Sequence, residues 1–303
     1  MSGRDRRSET LIALRALLAA SVLTLGASCA ERARPSAALV DDFGDTIRLS
    51  AAPTRVVSLN PVTTELVFAL GVGHLLVGRT SWDLFPEAAR AVPDLGAGMQ
   101  PNVEAVLGQR PDLVLLYASE SNRLAAQQLR AAGVATLTYR TDRVADFARV
   151  VPVIATALGV AAQGELVRDS VLASLAAVRA LPRPGRAVRA YWHIWDAPLM
   201  TIGGGSYLTE LLEIAGAENV FGDMAQPSPQ VSMEEIARRD PDVILAGPVG
   251  AERIRQGPAW RTVRAVREGR VITLDTTIVG RPGVRMGEAA AFLRRVLVDS
   301  VPR

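Results

Sequence analysis

Short apolar runs alternate with amphipathic stretches along most of this chain. "RVVSL" (55–59) reads as a buried strand, and "NPVTTELVFALGVG" after it as a helix, with Asn60 as cap, Pro61 in the first turn and Gly71 at the close. "HLLVGRT" predicts a strand, "PNVEAVLGQ" a short helix, "DLVLL" a strand, "SNRLAAQQLRAAG" a helix closed by Gly133, and "VATLTY" a strand. Ahead of them, "ALVDDFGDTIRLS" alternates around a Phe-Gly-Asp turn and predicts a hairpin. Strands and helices taking turns in this way predict a parallel sheet covered on both faces.

From Asp142 to Leu181 the strand signal vanishes, and two helical stretches divide near Gly159. The second spans about 20 residues, so it predicts a rod of about 30 Å, ended by "PRPGR". The chain beyond this break resembles the first half. "AVRAYWHI" is a strand ending at His193, and "GGGSYLTELLEIAGAENVF" a Gly loop plus helix. "VSMEEIARR" is a short helix, "DPDVILAG" and "GRVITLD" are strands, and "MGEAAAFLRRVLVDS" is a closing helix. Glu65 pairs with Glu210 and Glu104 with Glu234 under this repeat, which is a duplication with insertions rather than a solenoid. The expectation is an α/β fold of two similar lobes, each a mainly parallel sheet with flanking helices. One long rigid helix joins them, and a ligand cleft lies between. The boundaries read as a lobe over 38–141, a helical segment over 142–181 carrying the interlobe helix, and a lobe over 187–303.

The most specific repeat is a corner. "QPNVEAVLGQRPDLVLL" and "PQVSMEEIARRDPDVILAG" each place an acid, Glu104 or Glu234, just inside a helix start, and each then runs through Pro-Asp into an apolar strand. Ser232 and Glu235 have capping-box spacing, which occupies Glu235 with its own helix. Glu104 and Glu234 either oppose the helix dipole, a contribution of about 0.3–1 kcal/mol, or stand as duplicated knobs for one partner.

Composition changes the picture mainly at the N-terminus. All 34 basic residues are arginine, and four of them fall in the first 28 residues with two acids, leaving the remainder near neutral. No arginine run interleaves with aromatics, so a nucleic-acid surface is not expected. The charged leader "MSGRDRRSETLIALR" and the apolar "ALLAASVLTLGAS" are too short to span a bilayer at about 20 residues. They read as a signal peptide over 1–28. Cys29, the single cysteine, follows Gly26-Ala27-Ser28 and resembles a lipobox with Gly26 where leucine is usual. Lipid attachment at Cys29, a tether over 29–37 and an extracytoplasmic location are the expectation. A lone cysteine excludes intrachain disulfides and Cys-based zinc sites.

The chain has two histidines, neither in a metal-spaced cluster, and no assembled acid–base pair, so neither a metal site nor an enzyme is expected. His74 reads as a structural surface residue. His193, flanked by Tyr191, Trp192 and Trp195 at a predicted strand end, is either structural or a ligand contact, since ligands of open α/β sheets bind beyond carboxyl strand ends. Trp82, Phe85, Tyr117 and Trp195 all fall at predicted strand exits. Arg281 and Arg285 of "GRPGVR" either hold a ligand's polar groups or begin the last helix.

Taken in order, "VDDFGDTIRLSAAPTRVVSLNPVTTELVFALGV", "VEAVLGQRPDLVLL", "IGGGSYLTELLEIAGAENVF", "PQVSMEEIARRDPDVILAG" and "RPGVR" resemble the helical-backbone substrate-binding proteins of ABC importers. These are receptors for vitamin B12, iron-siderophores and haem. The resemblance covers residues 38–300, and "PQVSMEE" with the Asn102–Glu104 corner looks most like the cobalamin receptors. It implies a monomer with one bound ligand between the lobes, most simply a corrinoid, with an iron-siderophore or haem as the alternative, and no catalytic cofactor. It implies small closure about the helix and docking of Glu104 and Glu234 on arginines of a permease dimer, and on this reading the strand-exit residues Trp82, Phe85, Tyr117, His193 and Trp195, with Arg281, are the expected ligand contacts. The chain departs from the cobalamin receptors at Gly96-Ala97-Gly98 and Ser228, where they carry aromatics.

Overall fold

The computed structural model describes residues 38–183 and 185–300. The leader, Cys29 and the tether lie outside these residues. The described chain opens on the expected hairpin, β1 (Ala38–Val40) and β2 (Thr46–Arg48), turning at Gly44. A first sheet comes next, built from β3 (Val56–Leu59), β4 (Leu76–Gly78), β5 (Leu113–Tyr117) and β6 (Ala135–Tyr139). All its strands are parallel, in the order β4-β3-β5-β6. Its helices are α1 (Pro61–Ala69), α2 (Val103–Gly108) and α3 (Glu120–Ala131). Asn60 caps α1 by accepting the Val62 N–H at 3.0 Å, and Pro61 sits where a missing N–H costs nothing.

Two helices then leave the sheet, α4 (Val144–Ala157) and α5 (Ala161–Arg179), broken at the left-handed Gly159. With 19 residues, α5 is about 28 Å long. It lies against α4 on one side and against α6 (Tyr207–Ala215) and α11 (Met286–Ser300) on the other. Two glycines permit this closeness: a Cβ on Gly164 would stand 2.3 Å from Ala155 Cβ, and one on Gly287 would run into Ser174.

The second sheet holds β7 (Val188–Asp196), β8 (Leu199–Thr201), β9 (Ala217–Asn219), β10 (Val243–Ala246) and β11 (Val271–Thr273). The parallel order β9-β7-β10-β11 repeats the order of the first sheet, as a duplication requires. Between its strands lie α7 (Met233–Arg239), α8 (Pro248–Gln256), α9 (Arg264–Arg267) and α10 (Thr276–Val279). Two expectations are corrected here. β7 does not stop at His193 but runs to Asp196, then turns through a cis Ala197–Pro198 bond into the antiparallel β8. Trp195 therefore lies within a strand. Ile194 and Trp195 are exposed, so no burial pattern marked the extension; the pairing with β8 sustains it. β9 also lies inside the stretch expected as loop and helix, its three residues too few to show a period.

Strand alternation distributes the core. Val57, Leu59, Val114 and Leu116 join Val106 and Leu129 on the outer face of the first sheet. Tyr191, Ile244 and Trp260 belong to the corresponding cluster of the second. The inner faces share one cluster, running from Val56 and Leu113 through Val171 and Leu175 of α5 to Val243 and Leu293. The two lobes are thus distinct as sheets and continuous as a core. Bending at α5 would expose apolar surface at about 25 cal/mol per Å², which restrains large hinge motion.

Candidate functional site: a groove between the lobes

Loops at the carboxyl ends of both sheets face one another, the usual ligand location for parallel sheets. A central compartment of 430 Å³ is walled by Asn60, Tyr117 and Asp142 from the first half and by Ser206, Ser228 and Arg281 from the second. Two others meet it at Gly280. One, of 450 Å³, runs along Ile194, Leu208, Pro248 and Val249; the other, of 380 Å³, along Leu84, Phe85 and Arg285. Each is of ordinary ligand-site size, about 300–1,000 Å³, and together they form a long groove.

The groove gathers some of the expected contacts and not others. Tyr117 and Arg281 wall its centre, and Phe85 lines the third compartment with the Arg285 guanidinium 4.0 Å above its ring. Trp82 and Trp195 are 66% and 61% exposed and stand outside the three compartments. The Trp195 indole N–H is turned back on the Ala197 carbonyl at 3.1 Å. His193 borders the second compartment, but its ring is buried, edge-on to Trp260 and beneath Gly250 of α8. Its Nε2 lies 3.2 Å from Asp196 Oδ1, while Nδ1 is buried without a partner. Burial lowers the His193 pKa more than Asp196 raises it, so the ring is neutral and structural in geometry. His74 is exposed in a short 3₁₀ turn.

The Tyr117 hydroxyl donates to Asp142 Oδ1 at 2.7 Å. Burial, and then this hydrogen bond and charge, push the phenol far above its ordinary pKa. Arg281 is no freer. Its Nη1 lies 3.2 Å from Glu65 Oε1, and its Nη2 donates to the Trp82 carbonyl. Arg285 completes the arrangement with bonds of 3.1 and 3.0 Å to the two oxygens of Glu65. Both guanidiniums of "GRPGVR" thus hold a protein carboxylate of the other lobe. On the opposite flank Arg143, just past the first sheet, binds Glu210 of α6. The repeat offered a signal for these long-range pairs, since Glu65 and Glu210 align, but nothing in the sequence named their partners.

The duplicated corner is repeated to its hydrogen bonds. Asn102 caps α2 through Ala105 N–H at 3.0 Å and Ser232 caps α7 through Glu235 N–H at 3.1 Å. Arg110 and Asp240 end the two turns in the left-handed region, at φ 50° and 44°. Asp112 accepts the Arg55 N–H at 3.0 Å and Asp242 accepts the Arg189 N–H at 3.0 Å; their own amides donate to the carbonyls of Arg55 and Arg189. Pro-Asp is therefore a lock between corner and neighbouring strand. Burial would raise the Asp242 carboxyl, but hydrogen bonds from Arg186, the Arg189 amide and Arg264 hold it below the ordinary range. Glu104 and Glu234 are exposed, and among the described residues neither has an ion-pair partner.

A family model described as periplasmic binding protein matches residues 56–277. The chain belongs to this family. A cobalamin-binding protein of Halobacterium salinarum is 31% identical over 272 residues, covering 83% of this chain and 71% of its own. A vitamin B12-binding protein of Vibrio parahaemolyticus is 25% identical over 245 residues, covering 80% and 89%. An apo periplasmic heme-binding protein of Roseiflexus sp. RS-1 superposes with a TM-score of 0.75 at 27% identity, covering 82% of this chain and 99% of its own. The family and these relatives are binding proteins, not enzymes. The periplasmic binding protein fold has two α/β lobes, as here. Among the described residues, no helix is long and apolar enough to cross a membrane, and no three potential metal ligands cluster.

Proposed function

We propose that this protein is the extracytoplasmic receptor of an ABC importer, lipid-anchored at Cys29, and that it carries a corrinoid in the groove between lobes 38–141 and 187–303. The observation that supports this cargo is the groove's centre, where neutral polar groups predominate and the one cation, Arg281, is bound to Glu65. A ferric siderophore with anionic arms needs free guanidiniums, and of the arginines lining the three compartments Arg281 and Arg285 are bound to Glu65 and Arg90 is paired with Glu87. Haem needs an axial ligand from the protein; His193 is buried against Trp260, and the Tyr117 proton is held by Asp142. A corrinoid needs no axial ligand from the protein and presents neutral amides, which match Asn60, Tyr117, Ser206 and Ser228. Phe85 and the apolar wall of Ile194 and Val249 would flank the macrocycle. The cobalamin- and vitamin B12-binding relatives support the same reading.

Docking by Glu104 and Glu234 accounts for the repeated corner. A permease of two subunits needs the same knob twice, and a rigid lock behind each acid fixes its position. An exposed ion pair contributes about 0–1 kcal/mol, so the knobs set register more than affinity. The second reading is haem, favoured by the Roseiflexus neighbour. Titration of the purified protein with cobinamide, cobalamin, haemin and ferric siderophores separates these. Tight binding of a corrinoid is expected, and failure of both corrinoids with haemin or a siderophore retained would overturn the assignment.

A further inference from the structure

We propose that Asp142 selects the charge state of the cargo, accepting a side-chain amide N–H of the ligand and excluding a carboxylate at the same place. The proposal rests on the corrinoid reading and deepens it. Asp142 comes just after β6 and lines the central compartment, half-buried, opposite Arg281. These two are the only charged side chains among the residues walling that compartment. Arg281 is tied to Glu65, which it shares with Arg285. Asp142 has no such counterpart: among the described residues no cation forms an ion pair with it.

The geometry fixes which atoms of Asp142 are available. Its amide N–H donates to Asp146 Oδ2 at 3.0 Å, which sets the backbone ahead of α4. Oδ1 accepts the Tyr117 hydroxyl at 2.7 Å, which orients the carboxylate. Oδ2 receives no hydrogen bond from the described residues and belongs to a group lining the groove. An ionised carboxylate only accepts, so the complement is a donor.

Across the compartment stand groups of the other kind. The N-terminal end of α6 faces the groove through Ser206 and Tyr207 and the Ser228 hydroxyl can donate, while the N-terminal end of α1, at Asn60 and Pro61, belongs to the wall that carries Asp142. A primary amide, with one carbonyl oxygen and two N–H donors, meets both walls. A carboxylate meets the α6 end but confronts Asp142 charge to charge, and a site built to bond a donor strongly rejects the analogue lacking it. The groove therefore discriminates between amidated corrinoids and precursors not yet amidated.

The test uses the full-length protein and separated cobinamide monocarboxylates, each with a different side-chain amide hydrolysed, titrated beside the intact amide. For at least one isomer, wild-type affinity is expected to fall by about tenfold or more. Asp142→Asn should shrink that penalty to within about threefold, and Asp142→Glu should keep it. Unfolding midpoints establish which variants fold; if Asp142→Asn does not, Asp142→Ser removes the same charge and carries the same expectation. Every isomer binding as the parent does, or the same penalty surviving Asp142→Asn, would overturn the role of Asp142. Loss of all corrinoid binding in the wild type would instead overturn the cargo assignment.

Discussion

Glu65 and Glu210 hold equivalent places in the two halves, and each binds arginine from the opposite half: Glu65 from Arg281 and Arg285, Glu210 from Arg143. The two pins are alike in topology but not in depth. Glu65 is 2% exposed and accepts from two guanidiniums, whereas Arg143 is nearly half exposed. Removing the charge at Glu65 leaves two cations facing a neutral, buried group. Glu65→Gln should lower stability by about 3 kcal/mol, and Arg143→Ala by about 1 kcal/mol or less. Urea midpoints measure both; equal costs would mean that burial does not distinguish the pins.

The exposed acids should behave differently from the buried one. Charge reversal of both, Glu104→Arg with Glu234→Arg, should abolish uptake into cells while corrinoid affinity and unfolding midpoint stay unchanged. Each single reversal should have the smaller effect, because one corner still sets register. Undiminished uptake by the double variant would remove docking from these residues.

His193 predicts a pH dependence of stability. Its folded pKa is below the ordinary 6.5 because burial disfavours the imidazolium. The unfolded chain therefore takes up a proton more readily, and stability is full above about pH 6.5 and declines as pH falls through that value toward the lower folded one. Chemical denaturation in steps from about pH 8 to about pH 5 should show this slope, and His193→Gln should flatten it. A slope identical in the variant would mean that other groups carry it.

Much of this was legible in the chain itself. Asn60, Pro61 and Gly71 marked α1, Gly159 divided the two long helices, and Ser232 capped α7, because caps and breaks depend on residues a few places apart. The repeat carried further: it announced two similar lobes, each with a mainly parallel sheet, and the twin corners. Less was legible where length or exposure removed the pattern, as at β9 and in β7 beyond His193. Of the expected contacts, Tyr117, Phe85 and Arg281 line the groove, whereas Trp82 and Trp195 do not. A position just past a strand does not say which way a side chain turns.

By itself, then, the sequence determined the local elements, their duplication and the acids it placed twice, since each depends on periodicity and short-range bonding. Tertiary structure alone decided that Arg281 and Arg285 close on Glu65, that His193 is buried, and that Tyr117 yields its proton's bond to Asp142. The first rests on which charges come within reach across 216 and 220 residues of chain, and the others on side chains of different elements meeting, as His193 meets Trp260; no local pattern encodes either.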